Sequence, residues 1–593
     1  MAVRTPRRSR AWRAARSRSD RYVIERYLQI RAATVAGHLP SGELGYLADV
    51  TGLLQLWRIA SDGLHEQVTF ASERVTAALA SPAEERWVIA RDTGGNERHA
   101  LFSLDATGGS ELQLSDDADA IHVPGAFSPD GNLLAFTHTG RNGVDFDVAV
   151  VAVGGGGRRE LAQPGGWSHV VDWSEHGILV QRANTPFDHD LFLVDPERGN
   201  TTPLTPHDDE VAFDSARLLP DGSVLCACDA GSEFARLAVL RHGASPELLT
   251  PDDGDVEIVA LDAARAHRAW AVNRGGESEV WLDDRRLEGL PGGVVSALAF
   301  APDGSLTITA GPPDDSTDVW TAAPAVGRRT RSAVGGLDRS GFVRPVLEEV
   351  ESFDGRRIPY LRFGGAGRPA LCWVHGGPES QFRPQMAPVI QFLCAQGITV
   401  AAPNVRGSTG YGRTYHHLDD VERRLDSVAD LAVLAQALGA GAGTPVGVMG
   451  GSYGGYMTMA AITEHPDLWQ CAVNIVGIVN FVTFLERTGA YRRALREAEY
   501  GSLERDREFL ESISPIRKID RIACPLMVIH GANDPRVPVS EAEQVVEALR
   551  ARSAPVEYLR YEDEGHGITR LPNRLDCYPR VAAFLQGHLL AGT

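Results

Sequence analysis

The sequence predicts two domains in series, a seven-bladed β-propeller followed by a mostly parallel β-sheet with helices on both faces. Two observations predict the propeller: strand-sized segments recur with a period near 44 residues, and turns of one kind recur in the same register. A third predicts the second domain, because apolar strands alternate with helical segments after residue 335. A chain of 593 residues also exceeds what one hydrophobic core normally serves.

The N-terminal segment is strongly basic. Its first 31 residues hold ten arginines against Asp20 and Glu25, and no apolar signal-peptide region follows. We therefore expect residues 1–18 to be a disordered basic leader. Residues 19–34 are predicted to contain a short, loosely amphipathic helix ahead of the first strand.

Residues 35–335 carry the predicted propeller. An apolar strand leading into a polar turn recurs at intervals of 39 to 47 residues, and its seven copies begin at Leu56, Leu101, Val148, Leu191, Leu237, Val280 and Val319. Pro-Asp-Gly turns at 129–131, 220–222 and 302–304 keep the same spacing. In such turns proline fixes φ and glycine takes the position that needs a positive φ, which is typical of strand connections.

Residues 336–593 form the predicted catalytic domain. An apolar strand, Val446 to Met449, runs directly into Gly450-Gly451-Ser452-Tyr453-Gly454-Gly455, and a helix is expected to follow. A G-x-S-x-G motif between a strand and a helix places a serine on a sharp turn with its hydroxyl exposed. This context predicts an α/β-hydrolase fold with Ser452 as the nucleophile.

A serine nucleophile needs a general base, and the base needs a carboxylate that orients it. In α/β-hydrolases these partners follow the serine in the order acid, then histidine, each after a strand. Asp534 follows the apolar strand 525–530, and His566 follows the strand ending at Tyr561. The sequence therefore predicts Ser452, Asp534 and His566 as the catalytic residues.

The tetrahedral intermediate of acyl transfer needs two hydrogen-bond donors for its oxyanion. The backbone N–H of Tyr453, directly after the nucleophile, is the first candidate. The second is expected in His375-Gly376-Gly377-Pro378, the loop after a buried strand. Proline cannot donate, so Gly377 is favoured, with Gly376 as the alternative.

Glu97 is a candidate substrate contact in the propeller. It lies in the loop 94–98 between two predicted strands, where its carboxylate could face the central cavity and bind a substrate amino group. The acidic pair Glu84-Glu85 is a weaker candidate, because it occupies a turn position of the repeat.

Charge and cysteine content narrow the function classes. The net charge of −20 argues against nucleic acid or an anionic membrane as the main partner, and no apolar run approaches the roughly 18 residues of a membrane span. Seven cysteines without C-x-x-C spacing indicate neither a disulfide framework nor a zinc site. We expect a cytoplasmic protein that needs no metal or cofactor.

Taken together, these motifs resemble the prolyl oligopeptidase family of serine peptidases, in particular its acylaminoacyl-peptidase branch. The residues that carry the resemblance lie at 375–378, 404–412, 450–455, 530–538 and 565–566, behind the seven propeller repeats. The resemblance implies that the propeller caps the active site and admits only short or unfolded peptides. It also implies that Arg536 binds the substrate carbonyl one residue before the scissile one, and that the N-terminal helix packs on the hydrolase domain.

The resulting hypothesis is a serine oligopeptidase that hydrolyses short peptides through an acyl-enzyme, with acyl or aminoacyl amides as related substrates. Alternatives are an aminopeptidase or aminoacyl-amide hydrolase acting on free N-termini, an esterase, and a non-catalytic propeller scaffold. The sequence lacks an inserted acidic helix of the dipeptidyl-peptidase kind, which argues against strict dipeptide release. Assembly into a homo-oligomer is also open.

Overall fold

The computed structural model describes residues 23–322 and 325–590. The predicted basic leader, residues 1–18, lies outside them. The described residues form seven four-stranded antiparallel sheets and one eight-stranded sheet. The predicted fold class, a seven-bladed propeller with an α/β-hydrolase domain, is therefore confirmed.

Each propeller blade consists of four consecutive strands. The first four blades contain β1 (Ala33–His38), β2 (Leu44–Ala48), β3 (Gln55–Ile59), β4 (His65–Gln67); β5 (Val75–Ala80), β6 (Arg86–Arg91), β7 (Ala100–Asp105), β8 (Leu112–Gln113); β9 (His122–Phe127), β10 (Leu133–His138), β11 (Asp147–Ala152), β12 (Arg159–Ala162); β13 (Trp167–Ser174), β14 (Gly177–Thr185), β15 (Asp188–Val194) and β16 (Thr201–Pro203). The last three contain β17 (Phe213–Leu218), β18 (Val224–Cys228), β19 (Arg236–Leu240), β20 (Glu247–Leu248); β21 (Asp255–Leu261), β22 (Arg268–Arg274), β23 (Glu277–Leu282), β24 (Arg285–Arg286); β25 (Val294–Phe300), β26 (Leu306–Gly311), β27 (Asp318–Ala322) and β28 (Val326–Arg328).

The repeats found in the sequence correspond to fixed positions in the blades. The apolar marker strands are the third strands, β3 to β27, and the Pro-Asp-Gly turns join the first and second strands of three blades. The glycines of these turns have φ values of 72° to 82°, as the turn chemistry requires. The ring closes where β1 packs against the last blade, and the Val35 N–H donates to Thr309 Oγ1 across this junction at 2.9 Å.

The second domain is built on one sheet in the order β29-β30-β32-β31-β33-β34-β35-β36, parallel from β32 to β36. Its strands are β29 (Val346–Glu351), β30 (Arg357–Phe363), β31 (Ala370–Val374), β32 (Thr399–Pro403), β33 (Val446–Gly451), β34 (Cys471–Ile475), β35 (Leu526–Gly531) and β36 (Val556–Tyr561). The helices are α1 (Ile24–Tyr27), α2 (Pro388–Ala395), α3 (Arg413–His416), α4 (Arg424–Ala437), α5 (Tyr453–Glu464), α6 (Phe481–Arg487), α7 (Ala490–Tyr500), α8 (Arg507–Ile513), α9 (Ser540–Ala551) and α10 (Leu571–Leu589).

Helices cover both faces of this sheet because its strand side chains alternate between two cores. Val448 belongs to the core under α4, α5 and α9, whereas Met449 belongs to the core under α1, α2 and α10. Both side chains are fully buried. This alternation explains why the strand before the serine is apolar at every position that carries a side chain.

The N-terminal helix ends at Tyr27, earlier than the predicted segment, whose first residues lie outside the described range. Within the described residues it spans only Ile24–Tyr27, because the chain then extends and Ile30 forms a β-bridge with Val334. Tyr27 packs edge-on against Phe392 of α2 at a centroid distance of 5.6 Å. The segment that precedes the propeller thus packs on the second domain.

Trp87 gives a direct test of the propeller packing. Its side chain is fully buried between the first two blades, and a Cβ built on Gly45 would lie 2.2 Å from Trp87 Cη2. Trp87→Ala leaves a cavity and should cost about 3–5 kcal/mol of propeller stability. We expect a clear drop in melting temperature by scanning calorimetry, whereas Phe70→Ala, at a position 78% exposed, should leave it unchanged. Equal melting temperatures for the two variants would contradict this packing.

Candidate active site

Ser452 lies on a strained turn between β33 and α5. Its φ and ψ angles are 58° and −119°, a conformation that costs a non-glycine residue about 1–3 kcal/mol. The Ser452 N–H donates to Ile475 O on β34 at 2.9 Å, and its carbonyl accepts from the Tyr456 N–H at 3.0 Å. These bonds hold the turn against its strain and place Ser452 at the end of the strand.

The glycines around Ser452 are needed because backbones meet there. A Cβ on Gly450 would lie 2.2 Å from Gly454 O, and a Cβ on Gly454 would lie 2.3 Å from Val374 O. Real Cβ atoms do not approach backbone atoms this closely. The close packing of α5 against β31 and β33 therefore accounts for glycine at these two positions.

Asp534 and His566 are in direct contact. His566 Nδ1 lies 2.7 Å from Asp534 Oδ2, and the Asp534 side chain is fully buried. The other carboxylate oxygen accepts from the N–H groups of Arg536 and Val537 at 2.9 and 3.0 Å. Burial would raise the pKa of Asp534, but the charge of His566 and hydrogen bonds from His530 and His566 outweigh it and hold the pKa well below its usual range.

The three predicted residues lie at one edge of the sheet. Register pairs Gly451 with Ile475, Ile475 with Ile529, and Gly531 with Tyr561, so the carboxyl ends of β33, β35 and β36 meet there. Within the described residues, Ser452 Oγ makes no hydrogen bond with His566. Such bonds are often loose before substrate binds.

The glycine loop, residues 375–379, lies beside Ser452. A Cβ built on Gly376 would be 3.5 Å from Ser452 Cβ. Among the described residues, the N–H groups of Gly377 and Tyr453 have no acceptor. The Gly376 N–H, the alternative donor, has no acceptor among the described residues either, so free donors of the glycine loop and of Tyr453 flank the serine.

His375 anchors the start of this loop. Its Nδ1 lies 2.7 Å from Gly376 O and its Nε2 lies 2.9 Å from Ser408 Oγ. Burial lowers the pKa of His375, so the ring is neutral and serves as a hydrogen-bonding strut.

The Tyr453 side chain is anchored in a buried charged network. Its hydroxyl donates to Asp419 Oδ2 at 2.8 Å and lies 3.0 Å from Ser427 Oγ. Arg424, fully buried, donates to Asp419 and to Glu499. Asp419, Asp420 and Glu499 have metal-ligand spacing, but Arg424 already pairs with two of these carboxylates.

The two predicted substrate contacts lie together. Arg536 Nε donates to Glu97 Oε1 at 2.7 Å, although the residues come from different domains. Glu97 has a φ of 58°, and its N–H donates to Asp92 Oδ2. The loop that carries Glu97 also meets the catalytic loops: Asn533 Nδ2 donates to Gly94 O at 3.0 Å, and a Cβ on Gly565 would lie 1.9 Å from Gly95 O.

Helix α7 adds groups that the sequence analysis missed. Tyr491 contacts Trp167 and Phe146 of the propeller, with centroid distances of 5.5 and 6.0 Å. Burial and the nearby Glu97 carboxylate raise the pKa of Tyr491. Arg496 forms a two-point ion pair with Glu379 of the glycine loop, at 2.6 and 3.1 Å. No motif marks these residues, because charged positions on a short helix normally indicate a solvated face.

A cavity of about 700 Å³ lies between the two domains. Its lining is rich in charged groups from both, among them Asp214, Asp229, Asp255, Glu379 and Arg413. Glu379 stands two residues after Gly377, so the cavity reaches the glycine loop. Ser452 itself does not line it.

Comparisons with known proteins agree with this architecture. The sequence model of the "Prolyl oligopeptidase family" matches residues 384–591. The chain is 35% identical over 255 residues to "Dipeptidyl peptidase family member 6" of Caenorhabditis elegans, covering 41% of this chain and 34% of that protein. It is 28% identical over 597 residues to "Dipeptidyl aminopeptidase BIII" of Pseudoxanthomonas mexicana, covering 90% and 84%.

Two further similarities complete these findings. Human "Acylamino-acid-releasing enzyme" is 27% identical over 238 residues, covering 37% of this chain and 31% of that enzyme. The chain thus spans about a third of two of these relatives and most of the third. Among solved structures, a puromycin hydrolase superposes with a TM-score of 0.83 at 19% identity over 95% of this chain and 96% of that one, which shows a shared two-domain fold.

No helix within the described ranges is long and apolar enough to cross a membrane.

The matched family segment contains Ser452, Asp534 and His566. Residues 384–591 therefore form a domain that matches the prolyl oligopeptidase family of serine peptidases, and this domain follows a seven-bladed β-propeller.

Proposed function

We propose that the protein hydrolyses short peptides through an acyl-enzyme formed on Ser452. The observation that carries this proposal is the Asp534–His566 contact at the sheet edge where the strained Ser452 turn lies. His566 Nε2 takes the Ser452 proton as Oγ attacks the scissile carbonyl. Asp534 fixes the imidazole tautomer through Nδ1 and stabilises the imidazolium that forms.

The N–H groups of Tyr453 and Gly377 receive the oxyanion of the tetrahedral intermediate. His566 then returns its proton to the leaving amine, and the peptide C–N bond breaks. A water, deprotonated by His566, releases the acyl group and restores Ser452. The residue roles require no metal or cofactor.

Short peptides are the proposed substrates because the propeller lies over the catalytic loops. Gly94 and Glu97 contact the loop of Asp534, Gly95 meets Gly565 beside His566, and an open cavity of about 700 Å³ between the domains reaches the glycine loop. We therefore propose that the propeller limits the access of folded proteins to Ser452. Seven buried, unpaired cysteines support the further proposal of a reducing, cytoplasmic location.

A second candidate, action on free N-termini, is favoured by the Glu97–Arg536 ion pair. Suppose that Arg536 binds the carbonyl of the substrate residue that precedes the one attacked by Ser452. An amino group bound by Glu97, which is paired with Arg536, then belongs to that same preceding residue. The N-terminal residue would then stand two positions before the cut, and dipeptides would be released. N-acylated substrates lack the ammonium charge that Glu97 would recognise.

Ser452→Ala should abolish peptide hydrolysis, because no other nucleophile is supplied to the substrate carbonyl. We expect a loss of about 10³-fold or more in kcat, with the melting temperature preserved. A fluorophosphonate should label the wild-type protein at Ser452 only. Undiminished turnover by the variant, or labelling at another serine, would refute the assignment of Ser452, whereas no labelling at all would favour the non-catalytic scaffold.

Asp534→Asn should lower kcat by about 10³- to 10⁴-fold, because the wrong imidazole tautomer then faces Ser452. Asp563→Asn, on the neighbouring loop, is the matched control and should retain activity.

Acid stability should also distinguish Asp534. Its folded pKa lies below the ordinary value of 3.8, so its stabilising effect is present at neutral pH and is lost as pH falls through about 4 and below. The melting temperature of the wild type should exceed that of Asp534→Asn at pH 7, and the difference should begin to shrink below about pH 4 and continue to shrink toward the lower folded pKa. A constant difference from pH 7 to 3 would contradict the shift.

Glu97→Gln should discriminate between the two substrate classes. Removing the charge should raise KM for a dipeptide anilide with a free amine about tenfold, and leave KM for its N-acetylated form unchanged. Glu84→Gln, which removes a carboxylate from a blade turn, is the control. Equal effects on both substrates would assign Glu97 a structural role only.

A further inference from the structure

We propose that Arg496 is a positioning residue that holds the glycine loop, and with it the Gly377 N–H, in the geometry that receives the oxyanion. The inference rests on the proposed function, since it concerns the same reaction. It assigns a role to a buried arginine on a helix that no motif marks.

Arg496 binds the glycine loop at the Glu379 carboxylate and at the Gly377 carbonyl. Its terminal nitrogens bind both carboxylate oxygens of Glu379, at 2.6 and 3.1 Å, and Nη1 also donates to Gly377 O at 3.5 Å. The side chains of Arg496 and Glu379 are 12% and 14% exposed. A two-point pair removed from water has a defined geometry, which one-point surface pairs lack.

The base of Arg496 is itself fixed. It stands one turn before the end of α7, where Glu499 and Tyr500 are almost fully buried. Arg424 donates to the Glu499 carbonyl at 2.8 Å and to its carboxylate at 3.0 Å. A movement of Arg496 therefore requires this buried end of the helix to move as well.

The same network reaches the other oxyanion donor. Arg424 also pairs with Asp419, which accepts the hydroxyl hydrogen of Tyr453. Arg496 of α7 thus contacts the loop that carries Gly377. Glu499 of the same helix binds Arg424, which connects it through Asp419 to the hydroxyl group of Tyr453. Both donors are therefore tied to α7, through the Arg496–Glu379 pair on the one hand and the buried Arg424 pairs with Glu499 and Asp419 on the other.

Arg496→Lys tests the role, because lysine keeps the charge but loses the two-point contact and the reach to Gly377 O. We expect kcat for a peptide anilide to fall about 10- to 100-fold and KM to stay within about twofold of the wild-type value. This drop in kcat is no larger than the drop caused by removing one oxyanion donor outright. The Ki of a peptide aldehyde, whose hemiacetal oxygen occupies the oxyanion site, should rise by the same factor as kcat/KM falls. Melting temperature and circular dichroism report on folding.

Two further variants complete the design. Glu379→Gln should show the same kcat loss, and the double variant should lose little more than either single one, because both changes break one contact. Arg493→Lys, on the same helix but bonded to Leu485 O and Glu486 O, is the matched control and should behave as the wild type.

The outcomes separate this inference from the proposed function. Fluorophosphonate labelling of wild-type Ser452 is measured first, and its absence would refute the proposed function itself. With labelling intact, unchanged kcat and aldehyde Ki in both Arg496→Lys and Glu379→Gln would overturn the positioning role. A rise in KM at constant kcat would overturn it too, and would instead make Arg496 a substrate-binding residue.

Discussion

The contact between the propeller loop 94–97 and the loops of Asp534 and His566 is the constraint on which the site depends. Gly565 precedes His566 and meets the backbone of Gly95 so closely that neither position has room for a side chain. Asn533, next to Asp534, binds Gly94 O in the same place. The propeller loop therefore forms a wall beside the loops that carry Asp534 and His566. Separation of the domains would remove that wall from both catalytic loops at once.

Much of this arrangement could be predicted from the sequence because its signals are local. The strand, glycines and helix around Ser452 are contiguous, and Asp534 and His566 each follow an apolar strand, which gives their place at the sheet edge. The Pro-Asp-Gly turns report the blades for the same reason, since turn chemistry is decided by neighbouring residues. The end of the N-terminal helix could not be predicted, because local propensity does not include the bridge between Ile30 and Val334.

The remainder depends on contacts between distant positions. Arg496 and Glu379 are 117 residues apart, and the arginines and glutamates of α7 share one face of the helix, which in sequence is typical of a solvated face. Which of these charges is buried depends on how α7 packs against the glycine loop and α4. The Glu97–Arg536 pair spans 439 residues and two domains, so sequence reasoning found both members as separate candidates and missed that they meet.

Buried ion pairs are poor sources of net stability, since desolvation offsets most of their attraction. Under the proposed mechanism their use beside Ser452 has a reason, because the glycine loop must be held in place while its N–H groups stay free for the oxyanion. An N–H that must receive an oxyanion cannot also hold its own loop by bonding within the protein. The glycine loop is therefore fixed through other atoms: the His375 ring, the Gly377 carbonyl and the Glu379 carboxylate. Tyr453 is fixed in the same way, because its hydroxyl group donates to Asp419 while its N–H has no acceptor among the described residues. Apolar packing could bury these segments, but it would not fix the direction of two free N–H groups as directional, charge-assisted hydrogen bonds do.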